Sequence, residues 1–182
     1  MPSPARNRLV CGRVKEPMTL RDWQEGDLGL LRASLGDPAM TRYLGGPETP
    51  EQIAARHQRY LALAGTGTGH MLVILVGIGH ESAGTVGYWD KDWLNEQVYE
   101  MGWSVLRAYQ GRGIATRATV LALEHARRDG RHRYVHAFPS VQNVASNATC
   151  RKAAFALMGE YDFEYPEGHL MQCNDWRFDL EA

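Results

Sequence analysis

Short apolar runs alternate with helical stripes along this chain, and glycine or proline marks nearly every junction. Residues 18–23, Met-Thr-Leu-Arg-Asp-Trp, read as a first strand. Asp27 stands where an N-cap is needed for a helix whose Leu28, Leu31 and Leu35 recur at helical spacing. Asp37-Pro38 stops that helix, a short helical piece is expected over residues 39–44, and Gly45-Gly46-Pro47 is a turn. Thr49-Pro50-Glu51-Gln52 has the form of a capping box with proline at the first helical position. Ile53, Tyr60, Leu61 and Ala64 share one face of the helix it opens. The glycines of residues 65–69 end it.

The middle of the chain is strand-like. Residues 71–76 are apolar, rich in β-branched side chains and bounded by glycine, which predicts a buried strand. Residues 85–89 and 98–105 predict two more. Residues 77–84 connect the first pair, and residues 90–97, which include Trp93, read as a polar loop. From Ile114 the period becomes helical, with Ile114, Ala115, Ala118, Leu121, Ala122 and His125 on one stripe and Asp129-Gly130 as the stop. Residues 133–138 predict a strand ended by Pro139. Ser146 then stands where an N-cap would open a helix reaching Met158, and residues 160–180 hold two strand-like stretches around Pro166-Glu167-Gly168. The order β-α-α-β-β-β-α-β-α-β-β predicts an α/β (α+β) domain around a central mixed sheet, with one parallel pair joined by a crossover helix.

Composition narrows the function classes. With 182 residues the chain has the size of one domain, residues 1–182, whose polar, proline-bearing first 13 residues are expected to be loose. A content of 44% hydrophobic and 23% charged residues suits a soluble globular protein. A net charge of -1 lacks the basic excess by which nucleic-acid binders grip phosphates. The longest apolar run, residues 71–78, is too short to cross a bilayer, and the N-terminus has no apolar signal-peptide core. Cys11, Cys150 and Cys173 are odd in number and form no C-x-x-C pair, so neither a disulfide framework nor a zinc site is supported. Unpaired thiols fit a reducing, cytoplasmic setting.

The densest chemistry lies in residues 100–116, where a strand enters a glycine-containing loop that opens a helix. The first N–H groups of a helix lack internal partners and carry its positive dipole end, and Gly111 and Gly113 let the backbone approach an anion. Arg112 and Arg117 add mobile positive charge. A dinucleotide fingerprint needs a third glycine where Thr116 stands, and a P-loop needs a Gly-Lys-Ser/Thr triplet that does not occur. A plain glycine turn before a core helix is the other reading of the spacing.

Gln110-Gly-Arg-Gly-Ile-Ala115 fits the Q/R-x-x-G-x-G/A motif of the GNAT superfamily of acetyl-CoA-dependent N-acetyltransferases, and residues 99–118 resemble its RimJ/RimL-like branch. Leu20-Arg21 with the following acidic helix start, residues 37–44, and Asn143-x-x-Ser146 through Lys152 and Phe155 resemble further segments of that branch in the same order. The resemblance implies a GNAT-like fold whose strand from Val98 splays from the strand at Arg133. It implies pantetheine contacts at Ser104, Val105 and Asn143. It also implies a pyrophosphate site built from Gln110, Gly111, Arg112, Gly113, Ile114, Ala115 and Thr116. Two positions depart from the pattern. Ala154 replaces a glycine, and Cys150 stands where many superfamily members carry a general-acid tyrosine.

Acetyl transfer needs a neutral amine, and free amines hold their proton up to a pKa of about 8 to 10.4. Glu100, in an otherwise apolar strand, is the candidate base; a solvent-facing strand carboxylate is the alternative. Ser146 is the candidate proton donor and equally a helix N-cap. Cys150 with Arg151 and Lys152 reads as a small buried thiol rather than a nucleophile. His132 and His136 are four apart on a strand, which is no metal face, so no metal is assigned. Trp89 and Trp103, with Trp93 nearby, are candidate walls of an acceptor pocket. Glu160, Asp162, Glu164 and Glu167 are either an acceptor-attracting run or a solvated strand edge. The reading is an enzyme that moves acetyl from acetyl-CoA to a primary amine, of a small molecule or a peptide N-terminus. Rivals are a non-catalytic acyl-CoA sensor and a nucleotide binder. The oligomeric state is open, a homodimer being common in that superfamily.

Overall fold

The most apolar run of the sequence becomes β2 (Gly69–Val76), in which Met71, Leu72, Val73, Ile74 and Val76 are all buried. A strand buried on both faces needs cover on both. The computed structural model, which describes residues 16–164, 168 and 170–182, supplies it. Residues 1–15, Pro166, Glu167 and the Ala64 side chain lie outside the described residues.

The sheet also contains β1 (Met18–Asp22), β3 (Glu81–Trp93), β4 (Glu96–Val105), β5 (Tyr134–Ala137), β6 (Ala156–Glu164) and β7 (Leu170–Asp179), in the order β1-β2-β3-β4-β5-β7-β6. Every neighbouring pair is antiparallel except β4 and β5. The helices are α1 (Leu28–Leu35), α2 (Pro50–Thr66), α3 (Ile114–Asp129) and α4 (Val144–Lys152). One face packs Met71 and Val73 against Leu30, Leu31 and Ile53 of α1 and α2. The other packs Leu72, Ile74 and Tyr88 against Ala118 and Ala122 of α3. The mixed sheet and its parallel pair bridged by α3 are those expected from the pattern.

Several elements differ from expectation, each for a local reason. Residues 90–97 are not a loop: β3 runs to Trp93 and β4 starts at Glu96, with Leu94 and Asn95 at φ 49° and 65° making a two-residue hairpin turn. Its polar residues are cross-strand partners, including a Lys91–Glu100 ion pair and an Asp92–Gln97 hydrogen bond. Asp27 does not cap α1 with its side chain. Its carboxylate accepts from the Gln24 N–H (2.7 Å) and from Arg21, closing a single 3-10 turn before the helix. Residues 39–44 form successive turns around the Asp37 carbonyl, which accepts from the Met40 and Thr41 N–H groups. The capping box at Thr49 and Gln52 forms as read.

Ser146 is not the cap of α4. Asn143 is, its Oδ1 accepting the Ser146 N–H at 3.1 Å. The helix ends at Lys152 rather than reaching Met158, because Ala154 takes φ 65°. The Phe155 N–H donates to the Cys150 carbonyl (3.0 Å) and the Ala154 N–H to the Arg151 carbonyl (3.2 Å), the two bonds of a Schellman stop. This position favours glycine, and alanine there carries a left-handed penalty.

Asn147, one turn into α4, ties the helix to the strands. Its buried carboxamide donates to the Ser140 and Asn143 carbonyls (2.9 and 2.8 Å) and accepts from Asn174 Nδ2 and Trp176 Nε1 (2.6 and 2.8 Å). No sequence pattern marked it.

Two stability outcomes follow from these contacts. Ala154→Gly relieves the backbone penalty but gains entropy in the unfolded chain. A net stabilisation of about 0.5–1 kcal/mol is expected, read as a rise in Tm of roughly 1–4 °C. Asn147→Leu strands Trp176 Nε1 in the interior and takes the same acceptor from Asn174 Nδ2, while the Ser140 and Asn143 carbonyls keep their backbone partners. It is expected to cost about 2–4 kcal/mol, measured as a lower urea midpoint at unchanged slope.

Candidate active site

β4 pairs with β3 along its whole length but with β5 only at Tyr99↔Val135 and Glu100↔His136. Beyond that point the chain after β5 follows β7 instead. The Val141 N–H donates to the Gln172 carbonyl, the Asn174 N–H to the Pro139 carbonyl, and Ser140 bridges Cys173. Among the described residues, the second half of β4, residues 101–105, therefore has no strand neighbour on that side, and the sheet opens in a V. Ser104 and Val105 lie on this open stretch. The Val105 carbonyl already accepts from the Gln110 carboxamide at 2.9 Å, which fixes the loop that follows.

That loop carries Gly111 and Gly113, both at φ 74°. Nothing lies within 4 Å of where a Cβ would stand on either, so glycine serves the backbone angle and leaves open space in front of the loop. Gly113 immediately precedes α3, whose 16 residues begin with no acidic side chain in the first turn. Ile114 is buried and anchors the turn in the core, while the first N–H groups, on Ile114, Ala115 and Thr116, are those without helical partners. This end of α3 is a site of positive potential. The two expected mobile arginines are tethered. Arg112 pairs with Glu16 Oε2 at 2.6 Å and lies over the Tyr109 ring, and Arg117 donates to the Glu16 carbonyl at 2.8 Å.

The opening of the sheet leads into a cleft of about 260 Å³ that runs beneath α1 and α2. Glu100, Trp89, Trp103, Ser104 and Ser146 all border it, so these five sequence candidates are brought together. Burial raises the Glu100 pKa above the ordinary carboxylate value; Lys91 at 3.5 Å and a hydrogen bond from Trp89 oppose that rise. The Trp89 ring lies across Gly102, where a Cβ would stand 3.1 Å from Trp89 Cη2. Trp103 is partly buried against the main core as well as bordering the cleft. Asn143 keeps its oxygen on Ser146 as helix cap.

Other candidates are elsewhere. Trp93 leaves the cleft wall, stacks near Phe138 and Tyr161 (4.7 and 5.2 Å) and donates to Asp175 Oδ2 at 3.0 Å. Glu160, Asp162 and Glu164 are exposed on the edge strand β6, on the face opposite Tyr161, and border no part of the cleft. The solvated-edge reading describes them; Glu167 is outside the described residues. Cys150 is fully buried, and burial pushes its thiol up to about 12, so it is no nucleophile at neutral pH. Cys173 is pushed up to about 11, by burial first and then by the charge of Glu100. His132 meets Asp90 (2.9 Å) and His136 meets Asp175 (2.6 Å), and among the described residues no His/Cys/Asp/Glu group is placed to hold a metal.

Sequence reasoning missed half of the wall. Leu31, Leu35 and Tyr60 looked like ordinary core stripes, Leu44 the end of a short helical piece, and Phe138 and Met171 parts of strands. The only usable signal was Pro139, which stops β5 where the V opens.

The same architecture is found in known enzymes. RimL, a ribosomal L7/L12 α-N-protein acetyltransferase solved with coenzyme A, superposes with a TM-score of 0.76 at 24% identity, over 91% of this chain and 95% of that one. Spermidine N-acetyltransferase from Vibrio cholerae, solved with CoA and spermine, gives 0.74 at 16% identity over 90% and 96%. Aminoglycoside acetyltransferase AAC(6')-Ib, solved with coenzyme A, gives 0.72 at 19% identity over 90% and 95%. No curated protein sequence matches the chain significantly. The profile of the acetyltransferase (GNAT) domain matches residues 18–156, a span that holds both the divided parallel pair and the glycine loop, and the chain therefore belongs to the GNAT acetyltransferase family.

Proposed function

We propose that this protein transfers the acetyl group of acetyl-CoA to a primary amine, with both substrates held together where β4 and β5 part. The observation that carries this reading is the combination of three features: the unpaired half of β4, the open glycine turn at the start of α3, and a cleft bordered by a half-buried carboxylate.

Acetyl-CoA supplies the activated acyl carbon; the protein's residues position, polarise and move protons. The N–H groups from Gly111 to Thr116 suit a pyrophosphate, and their left-handed glycines leave room for one. Arg112 joins them once released from Glu16. The β4 edge around Ser104 and Val105, unpaired toward β5 apart from the Gln110 carboxamide on the Val105 carbonyl, suits an extended amide-bearing arm, which would add to the sheet as a strand does. Asn143 retains its Nδ2 donor for the same arm. Glu100 takes the proton that the attacking amine must lose. Its raised pKa brings it closer to the amine's, which favours proton transfer near neutral pH. As the amine nitrogen bonds to the acyl carbon and the carbon–sulfur bond breaks, the thiolate takes a proton; we assign its delivery to the Ser146 hydroxyl on the cleft wall, which regains a proton from solvent in the same step. A sensor without turnover would not need a buried carboxylate beside the opening. A cytoplasmic setting suits the two free thiols, Cys150 and Cys173.

Release of free thiol from acetyl-CoA in the presence of an amine panel is the direct test; no amine-dependent release with any acceptor would refute the proposal. Glu100→Gln is expected to lower kcat by about 10²–10⁴-fold and to abolish the rise of activity with pH. The same change should affect stability in the opposite sense. A raised carboxyl pKa contributes stability below the ordinary glutamate range and loses it as pH rises through the raised value. Glu100→Gln is therefore expected to gain Tm over wild type at pH 7–8 but not at pH 4, by roughly 1–3 °C. Arg112→Glu should raise KM for acetyl-CoA by about tenfold or more with little change in kcat, read from initial rates at saturating amine.

A further inference from the structure

The wall of the cleft says what kind of amine it accepts. On the α1–α2 side the described lining is mostly apolar: Leu31, Leu35, Leu44, Tyr60, Trp89 and Met71. Phe138 and Met171 continue this surface across the opening. The Ser34 hydroxyl is committed to the Leu30 and Leu31 carbonyls, so it offers no donor to a ligand. Only two charged side chains border the cleft among the described residues. Arg56 is ion-paired with Glu48, which leaves that end without net charge. Glu100 is the one carboxylate, and Lys91 stands 3.5 Å behind it.

A second or third ammonium group would therefore leave water for an apolar wall with no carboxylate to receive it, a costly transfer. A single amine beside Glu100, with a hydrocarbon or aromatic body against Trp89 and Tyr60, meets complementary surfaces at both ends. The volume of about 260 Å³ lies just under the range of about 300–1,000 Å³ usual for small-molecule sites. The reacting thioester end takes part of it, so the body is compact.

We infer that the acceptor is a primary monoamine with one compact apolar or aromatic body, and not a polyamine or aminoglycoside. The inference rests on the acetyl-transfer reading above and specifies its substrate. The chemistry is shared by a free arylalkylamine and by a peptide N-terminus whose first side chain is apolar.

Initial rates of thiol release separate these cases. The panel is 2-phenylethylamine, ethylamine, 1,4-diaminobutane, spermidine, kanamycin, and hexapeptides beginning with Phe, Leu, Ser or Asp. Phenylethylamine or the Phe and Leu peptides are expected to exceed ethylamine and spermidine in kcat/KM by about 10–100-fold, since each buried methylene adds several-fold. Preference within that pair identifies the source as small molecule or peptide. Leu44, 39% exposed, tolerates replacement. Leu44→Glu adds the missing second carboxylate and is expected to raise kcat/KM for 1,4-diaminobutane relative to phenylethylamine by about tenfold. Spermidine or kanamycin as the best wild-type acceptor would overturn the inference while leaving acetyl transfer standing. Silence across the whole panel would overturn acetyl transfer and this inference with it.

Discussion

β4 and β5 stop pairing after Glu100 and His136, and a sheet does not leave its middle strands apart without something to hold them. Here the restraint comes from the far side. Pro139 has no N–H to offer β4, its carbonyl is taken by Asn174, and Val141 donates to Gln172. Asn147 then fastens Ser140 and Asn143 to α4 while accepting from Asn174 and Trp176 of β7. The segment after β5 is captured by β7 and α4, and half of β4 is left with a backbone edge exposed inside the fold. Such an edge binds extended chains, which is hazardous on a surface and useful in a cleft.

The remaining features of the site follow from that opening. α3 must start close to the end of β4 to cross back to β5, and this brings its N-terminal N–H groups to the mouth of the V. The crossover that builds the parallel pair thus also supplies the N–H groups proposed for the pyrophosphate. Glu100 is the last residue of β4 to have a β5 partner, so it sits at the vertex, buried enough for its pKa to rise and open enough to face the cleft. Gly102, two residues along the strand, lets the Trp89 ring approach the backbone closely. The candidate base and the backbone edge are set by six consecutive residues of one strand, Glu100 to Val105.

Much of this could be read from the sequence. Period and punctuation located the α-helices and strands of the described residues, because glycine, proline and capping residues stood at nearly all the ends, but they also suggested a helical piece over residues 39–44 that is a run of turns and carried α4 past Lys152. The glycines of the loop from Gln110 to Ala115 pointed to an unusual backbone, and Gly111 and Gly113 do stand at φ 74°. Three kinds of error remained, and each has a physical origin. The hairpin at Leu94-Asn95 was hidden because polar residues 90–97 pair with one another across strands rather than alternating with apolar ones. Ser146 was taken for a cap because either Asn143 or Ser146 could serve, and only the turn at Ser140 decides between them. Asn147 and the apolar cleft wall were invisible because their roles depend on contacts far apart in sequence. A helix stripe of Leu31 and Leu35 looks the same whether it faces a packed core or a cavity.

The account stands on the free edge of β4. Amide hydrogen exchange, followed residue by residue by NMR with and without acetyl-CoA, probes it directly. In the free protein, the residues 101–105 amides that point away from β3 should exchange rapidly, while those bonded to β3 are protected. Saturating acetyl-CoA should slow the first set by at least tenfold and leave the second unchanged. Protection of the first set in the free protein, or no change on adding acetyl-CoA, would contradict the account.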